Sequence, residues 1–323
     1  MSRHLITVVA AVLLAAGHAE ARGGDHGSFP RLSGPYLGQK PPGLVPEVFA
    51  PGILPTDGVQ HCFPAFSPDA REVYWLNVYL EGERPRGVIW RTRELDGFWH
   101  PPEPAPFSGE YNDHAPVFSG DGTRIYFSSD RPGGFERCKS IWYVQKNGRD
   151  VGEPVYLGSP PNTDLCASQA TFTDDGAVYF VGKLPDTQWG IGIYRSRFED
   201  GRYQEPEVLG PAVNTTSADA YPFISPDGRY LLFGSSRPGA NSVETDLYLS
   251  LINQNGEFGE PKHLGRNINN GLTVSFACVT RDGRYLFFSR FDGDGEDSTD
   301  VFYWVQASVL DPYLIRPEQK QAE

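Results

Sequence analysis

Methionine, cysteine, basic residues and long apolar runs are all scarce in this chain of 323 residues. One methionine and four cysteines occur, and 28 lysine and arginine residues stand against 41 aspartate and glutamate residues. The net charge of -13 argues against nucleic acid or an anionic membrane as the partner. The one long apolar run, residues 5–17, is too short to cross a bilayer comfortably, so we expect no membrane span in the mature protein.

The first 21 residues have the features of a secretory signal peptide. Arg3 and His4 supply a short basic start, the apolar run follows, and Ala19-Glu20-Ala21 is the small-x-small pattern that a signal peptidase cuts. We therefore expect an exported protein, periplasmic or secreted, that begins at Arg22. Arg22 is not a cysteine, which argues against a lipid anchor at that position.

Glycine and proline are abundant, with 36 and 28 copies, and a short phrase returns five times. It reads PAFSPD at 64–69, PVFSGD at 116–121, ATFTDD at 170–175, PFISPD at 222–227 and ACVTRD at 277–282. The final aspartates are 52, 54, 52 and 55 residues apart. A period of this length with strand-like content is typical of a β-propeller, each repeat forming one blade. Because the aspartates recur in every repeat, we interpret them as turn residues rather than catalytic acids.

Each repeat divides into four short apolar segments, and the fourth segment carries a Glu-Pro pair. Proline suits an outer strand, because it cannot donate a hydrogen bond to a neighbouring strand. The fifth repeat lacks its outer strand, but Pro46–Gly52 closely parallels Pro206–Pro211 of an earlier repeat. The sequence therefore predicts an all-β, five-bladed propeller of four-stranded antiparallel blades, its last blade closed by an N-terminal strand. The alternative, a six-bladed TolB-like ring, requires strands for which few residues remain.

The Phe-Ser-Pro-Asp phrase, the following aromatic strand and SDRPGG at 129–134 resemble the WD40-like propeller repeat of the TolB type, often labelled PD40. The resemblance covers roughly residues 45–308. It implies a propeller related to periplasmic proteins that bind partners, to propellers on envelope anchors and to propeller domains beside serine peptidases. The chain has no Gly-x-Ser-x-Gly elbow and no hydrolase domain, which removes the peptidases as direct models.

Candidate ligand residues lie in two sets of loops that share one face of a propeller. The lead-in loops precede the innermost strands and carry Asp57, His61, Asp113, His114, Asp164, Asn214 and Asp219. The loops between second and third strands carry Asp130, Arg131, Lys183, Arg237, Arg290 and Asp292. From these we select His61, His114, Asp113, Arg131, Lys183, Asp219, Arg237 and Arg290 as the ligand-binding candidates. Two interpretations stay open: charge-assisted ties between blades, or a polar funnel for an anionic or sugar-like ligand.

The remaining polar residues give weaker indications. No metal site or cofactor is expected, because the histidines lack the spacing of a dedicated metal site and the acidic segment 292–300 lacks the residues of an EF-hand loop. Cys138 and Cys166 are expected at one face, where a disulfide is plausible in an exported chain. Cys62 and Cys278 are expected as buried thiols, a second bridge at the ring seam being the alternative.

These inferences define four segments: a signal peptide at 1–21, an N-terminal extension at 22–44, the propeller at 45–310 and a tail at 311–323. The expected function is non-catalytic binding of a protein or envelope component, with a small polar ligand in the channel as a further partner. The alternative is a propeller enzyme, a hydrolase or lyase, acting on a carbohydrate or lactone-like molecule at the same face.

Overall fold

A computed structural model describes residues 29–54, 59–81, 84–135, 138–240, 245–270, 273–292 and 299–315. The segment 1–21, predicted as a signal peptide, and most of the predicted tail 311–323 lie outside the described residues. No helix in these ranges is long and apolar enough to cross a membrane.

Five four-stranded antiparallel sheets form the five blades expected from the repeats. The first strand of the chain is β1 (Glu47–Val48). Blade 1 contains β2 (Val59–Phe66), β3 (Glu72–Glu81), β4 (Arg84–Leu95) and β6 (Glu103–Pro104), with β5 (Phe98–Trp99) also paired to β4. Blade 2 contains β7 (His114–Phe118), β8 (Arg124–Ser129), β9 (Ser140–Asn147) and β10 (Asp150–Tyr156). Blade 3 contains β11 (Ser168–Phe172), β12 (Val178–Lys183), β13 (Ile191–Ser196) and β16 (Glu207–Val208), with a small hairpin of β14 (Phe198–Glu199) and β15 (Arg202–Tyr203).

The last two blades follow the same order from the innermost strand outward. Blade 4 contains β17 (Asp219–Ile224), β18 (Tyr230–Ser235), β19 (Asp246–Leu251) and β20 (Lys262–His263). Blade 5 contains β21 (Val274–Val279), β22 (Tyr285–Asp292), β23 (Thr299–Gln306) and β1. Short helices occupy Tyr36–Gly38, Gly265–Ile268, Ala307–Leu310 and Asp311–Leu314.

The N-terminal strand closes the ring, as expected. Glu47 and Val48 pair with Trp304 and Tyr303, so β1 is the outer strand of blade 5. The preceding segment strengthens this closure: the Tyr36 ring lies 4.9 Å from the Phe66 ring of blade 1 and 5.0 Å from the Tyr285 ring of blade 5. Tyr36 is buried, and its hydroxyl donates to Asp282 at 3.1 Å. Residues of the segment 29–44 thus belong to the hydrophobic core that joins the first and last blades.

The recurring aspartates serve the turns, as the repeat indicated. In blade 1, Ser67 Oγ donates to Asp69 at 2.6 Å, and the same carboxylate accepts the backbone N–H of Arg71 at 3.2 Å. Equivalent hydroxyl-to-carboxylate bonds link Ser119 with Asp121, Thr173 with Asp175, Ser225 with Asp227 and Thr280 with Asp282. Each aspartate therefore stabilises the turn between the first two strands of its blade.

A β-bulge interrupts the innermost strand of every blade. At each bulge one non-glycine residue has a left-handed backbone: Cys62, Ala115, Gln169, Tyr221 and Phe276, with φ of 71°, 49°, 53°, 58° and 47°. A bulge bends the strand and re-aims the side chain at that point. These five positions lie on the strands that border the central channel.

Candidate functional site

The central channel opens at two faces of the disc, which we name by their loops. The upper face carries the lead-in loops and the loops between second and third strands, and the turn face carries the aspartate turns. The residue before each turn aspartate lies around the turn-face mouth: Pro68, Gly120, Asp174, Pro226 and Arg281.

An ion pair crosses the turn-face mouth. Arg281 of blade 5 donates to Asp174 of blade 3 at 2.6 Å. Gly120 of blade 2 makes room for this pair, because a Cβ there would lie 3.2 Å from the guanidinium carbon and 3.0 Å from the carboxylate. Above the pair lies a small cavity of about 90 Å³, lined largely by apolar ends of innermost strands. The pair restricts access from the turn face, so the upper mouth is the candidate ligand side.

Two of the selected acids are engaged in buried ion pairs at the upper face. Arg131 donates to Asp113 at 2.9 Å, and also to Ser129 Oγ and the Phe107 carbonyl. The Asp113 side chain is 0% exposed and that of Arg131 is 7% exposed. Burial raises the pKa of Asp113 above its ordinary value, although Arg131 and two serine hydroxyls act in the opposite direction.

Blade 4 repeats this arrangement with a second pair. Arg237 donates to Asp219 at 3.0 Å, to Ser235 Oγ at 2.8 Å and to the Val213 carbonyl at 2.8 Å. Both pairs join the lead-in segment of a blade to the loop after its own second strand, rather than one blade to the next. Their donors and acceptors are used within the protein, which favours the structural interpretation for these four residues.

The other selected residues are spread around the upper face. His61 and His114 occupy equivalent registers on neighbouring innermost strands, opposite Leu76 and Ser128, but the His61 side chain lies outside the described part. His114 Nε2 lies 2.6 Å from Asn112 Oδ1. Lys183 is exposed and donates to the Asp164 carbonyl at 3.0 Å. The Arg290 guanidinium stacks 3.6 Å from the centre of the Tyr303 ring. Asp57 and residues 293–298 are also outside the described residues.

Asn214 has a structural contact that recurs around the ring. Its Oδ1 accepts the Ile193 N–H at 2.8 Å, and its Nδ2 donates to the Ile193 carbonyl at 2.9 Å. Asn162 and Asn269 bind the third strands of their blades in the same way. These three asparagines satisfy buried strand groups near each blade's outer edge, so they are not ligand residues.

A disulfide joins Cys138 to Cys166 across the boundary between blades 2 and 3, with a Cα separation of 5.1 Å. Cys62 and Cys278 are buried and carry reduced thiols. Burial raises the pKa of the Cys278 thiol, so it is a packing residue rather than a nucleophile.

Lys139, which sequence reasoning missed, follows the disulfide directly. Its electrostatic neighbours are Asp130 and Asp113 of its own blade and Cys62 of blade 1, so its side chain lies at the channel mouth. Its side chain is half-buried, and these neighbours come from two adjacent blades. Burial lowers the pKa of its ammonium to about 8. Among the described residues, no hydrogen-bond or ion-pair partner holds this ammonium.

An aromatic cluster forms the other side of the upper mouth. The rings of Tyr221 and Phe276, on the bulges of blades 4 and 5, are 4.1 Å apart, and Trp189 lies 6.2 Å from Tyr221. The loop that carries Trp189 is held by the Gln188 N–H, which donates to the Thr216 carbonyl at 2.9 Å. Trp189 and Tyr221 remain partly exposed. The mouth therefore combines an aromatic side with a polar side that contains Lys139 and His114.

A larger cavity, of about 440 Å³, lies between blades 1 and 2 near the turn face. Four of its charged lining residues pair with one another: Lys146 with Glu72 at 2.8 Å, and Arg71 with Glu94. This cleft is therefore a charged seam between blades, with few groups left to recognise a ligand.

Over the described ranges, no cluster of three histidine, cysteine or acidic side chains could hold a metal ion.

Comparison with known proteins shows no family for this chain. No protein-family profile matches the chain, and no curated protein sequence matches it. Among solved structures, an oligogalacturonate lyase in complex with manganese is 11% identical with a TM-score of 0.42, over 80% of this chain and 68% of the lyase. The arabinanase Arb43A of Bacillus subtilis is 14% identical with a TM-score of 0.49, over 77% of this chain and 94% of the arabinanase. The tricorn protease is 16% identical with a TM-score of 0.48, over 76% of this chain and 23% of the protease, so the chain spans less than a quarter of that enzyme. At these identities and TM-scores, none of these similarities shows a function for this chain.

Proposed function

We propose that this protein is an exported, non-catalytic binding module of the cell envelope or periplasm, related to PD40 propellers of the TolB type, with the upper mouth as its binding face. The observation that carries the proposal is the contrast between the two kinds of polar residue at that face. The recurring acids and arginines are engaged internally, whereas the side chains that do not recur, Lys139, Trp189 and Tyr221, line the open mouth.

The aromatic side of the mouth supports recognition of another molecule. Trp189 and Tyr221 offer partly exposed ring surface together with polar atoms, a combination that is enriched at binding sites. A concave site with aromatic walls and a few polar groups is also the usual form of a small-ligand site.

Export is supported by two independent features. The signal-like segment 1–21 predicts secretion, and the Cys138–Cys166 disulfide suits an oxidising compartment. The expected partner is a protein or another envelope component that binds at the upper face.

A photo-crosslinking amino acid placed at position 189 tests the binding face in envelope extracts of the producing cell. We expect one defined adduct, identified by mass spectrometry, that is lost when Tyr221→Ala is combined with it. The matched control is position 198, because Phe198 is 41% exposed on the β14–β15 hairpin, away from the mouth. Equal labelling from positions 189 and 198 would contradict the proposal.

The second candidate function is a carbohydrate- or lactone-processing enzyme at the same mouth. It is favoured by one observation: Asp130 is an exposed carboxylate near Lys139, opposite an aromatic surface on which a sugar ring can pack. Asp113 is unsuited to proton transfer, since it is fully buried against Arg131. Turnover of a polysaccharide or lactone by the wild-type protein, abolished by Asp130→Asn, would replace the binding module by this enzyme.

A further inference from the structure

Lys139 occupies an unusual position for a lysine. Asp113, one of its neighbouring acids, already has Arg131 as its ion-pair partner at 2.9 Å. Asp130, the other, accepts the Asn112 N–H at 3.0 Å. The ammonium is thus half-buried at the channel mouth, near two acids that form their close contacts with other groups.

A cation in such a place is costly unless an anion approaches it. Removal of an ammonium from water disfavours its charged form, and a nearby acceptor of opposite charge offsets that cost. Structural lysines normally avoid this cost through an ion pair, as Lys146 does with Glu72 at 2.8 Å. The environment of Lys139 is thus that of a group whose partner is a ligand.

The disulfide determines where this ammonium can reach. Cys138 is bonded to Cys166 of the segment that leads into blade 3, and Ser140, on the other side of Lys139, pairs with Ser129 in the sheet of blade 2. The backbone of Lys139 is therefore anchored on both sides. A side chain on an anchored backbone loses less conformational entropy when it binds than one on an open loop.

The aromatic cluster indicates what accompanies the anion. Trp189 and Tyr221 lie on the blade 3 and blade 4 side of the same mouth, where a ring with C–H faces can pack on them. We propose that Lys139 anchors the carboxylate of a small ring compound, such as a sugar acid, whose ring packs against Trp189 and Tyr221. This inference rests on the proposed role of the upper mouth as the binding face and names the ligand class of that face.

Calorimetric titration with three probes tests the ligand class. Glucuronate carries a carboxylate on a sugar ring, glucose 6-phosphate carries a phosphate, and glucose is neutral. We expect wild-type protein to bind glucuronate at least tenfold more tightly than glucose, and Lys139→Gln to remove this preference while Lys139→Arg largely retains it. Trp189→Ala should weaken all sugar binding, charged and neutral alike.

Lys262→Gln is the matched control, because Lys262 lies on the outer strand β20 of blade 4, away from the mouth, and its ammonium donates to the Tyr313 carbonyl at 2.9 Å. It should leave glucuronate binding unchanged. Equal affinity for glucuronate and glucose, or equal effects of Lys139→Gln and Lys262→Gln, would overturn the inference. Tighter binding of glucose 6-phosphate than of glucuronate would replace the carboxylate by a phosphate and so also overturn it. If no probe binds while crosslinking at position 189 still captures an envelope partner, this inference fails and the binding module stands.

Discussion

Removal of Arg131 should destabilise the fold strongly, because Asp113 would keep a buried charge without its partner. The Asp113 side chain is 0% exposed and lies 2.9 Å from Arg131 Nη2. Loss of one partner of a buried ion pair costs about 3 to 5 kcal/mol. We therefore expect Arg131→Met to lower the free energy of unfolding by about 3 kcal/mol or more, which corresponds to roughly 5 °C in Tm for a chain of this size.

Urea unfolding followed by tryptophan fluorescence measures this effect, and a double-mutant cycle isolates the pair. Asp113→Asn combined with Arg131→Met should be less destabilising than the sum of the two single changes. Each single change leaves one buried charge without its partner, whereas the double variant has neither charge. Arg281→Met is the control, because the Arg281–Asp174 pair has side-chain exposures of 35% and 52%. An exposed pair of this kind contributes about 1 kcal/mol or less.

A small effect of Arg131→Met on the free energy of unfolding would refute this reasoning. If Arg131→Met costs no more than Arg281→Met, then Asp113 does not depend on Arg131, and the structural interpretation of the recurring pair is wrong. A large loss of stability with unchanged ligand binding by the folded fraction would support the assignment of Arg131 to the scaffold rather than to the site.

Three further changes test other parts of the structure. Trace acetylation of Lys139, followed by mass spectrometry, should rise with pH and reach half its maximum near pH 8, because only the neutral amine reacts and the pKa is lowered to about 8; a midpoint near the ordinary lysine pKa would contradict its burial in the channel. Replacement of both Cys138 and Cys166 by serine should destabilise the protein by about 3.5 kcal/mol on the chain-entropy estimate for a loop of 28 residues, and a reducing agent should have the same effect on the wild type and none on the double variant. Tyr36→Ala should cost about 3 to 5 kcal/mol in urea unfolding, since its buried ring joins blades 1 and 5; a loss comparable to that of an exposed aromatic such as Phe198→Ala would show that the N-terminal segment is not part of the closure.

The architecture could be predicted because its signals are local and repeat. Five copies of one phrase established the blade count, and the parallel between Pro46–Gly52 and an earlier outer strand identified β1 as the closing strand. The turn role of Asp69 and its equivalents followed from recurrence, since a residue that returns in every blade is expected to stabilise a structural feature common to all blades. These inferences depend on residues close together in sequence or related by one period.

The site could be predicted only in part, for reasons that lie in the three-dimensional arrangement. The loops of the upper face were identified, but Lys139, Trp189, Tyr221 and Phe276 were not selected. Tyr221 and Phe276 lie on left-handed bulges, and tyrosine and phenylalanine carry no sequence signal for that conformation, whereas Lys139 and Trp189 lie in loops between second and third strands. The Arg281–Asp174 pair joins residues 107 positions apart. In the sequence, the pair is indicated only by the residue before the turn aspartate, which is Asp174 or Arg281 in these two repeats and proline in two others.

The amino-acid order alone was thus sufficient for the five blades, their turns and the strand that closes the ring, because each is encoded by short segments with a fixed period. Closure of the ring decided the rest. In the closed ring, Asp113 and Arg131 form an ion pair within one blade, and Arg281 pairs with Asp174 across the turn face. The closed ring also places Lys139 at the mouth that Trp189 and Tyr221 line. Such relations depend on the distance and burial of side chains from different blades, and these exist only once the chain has folded.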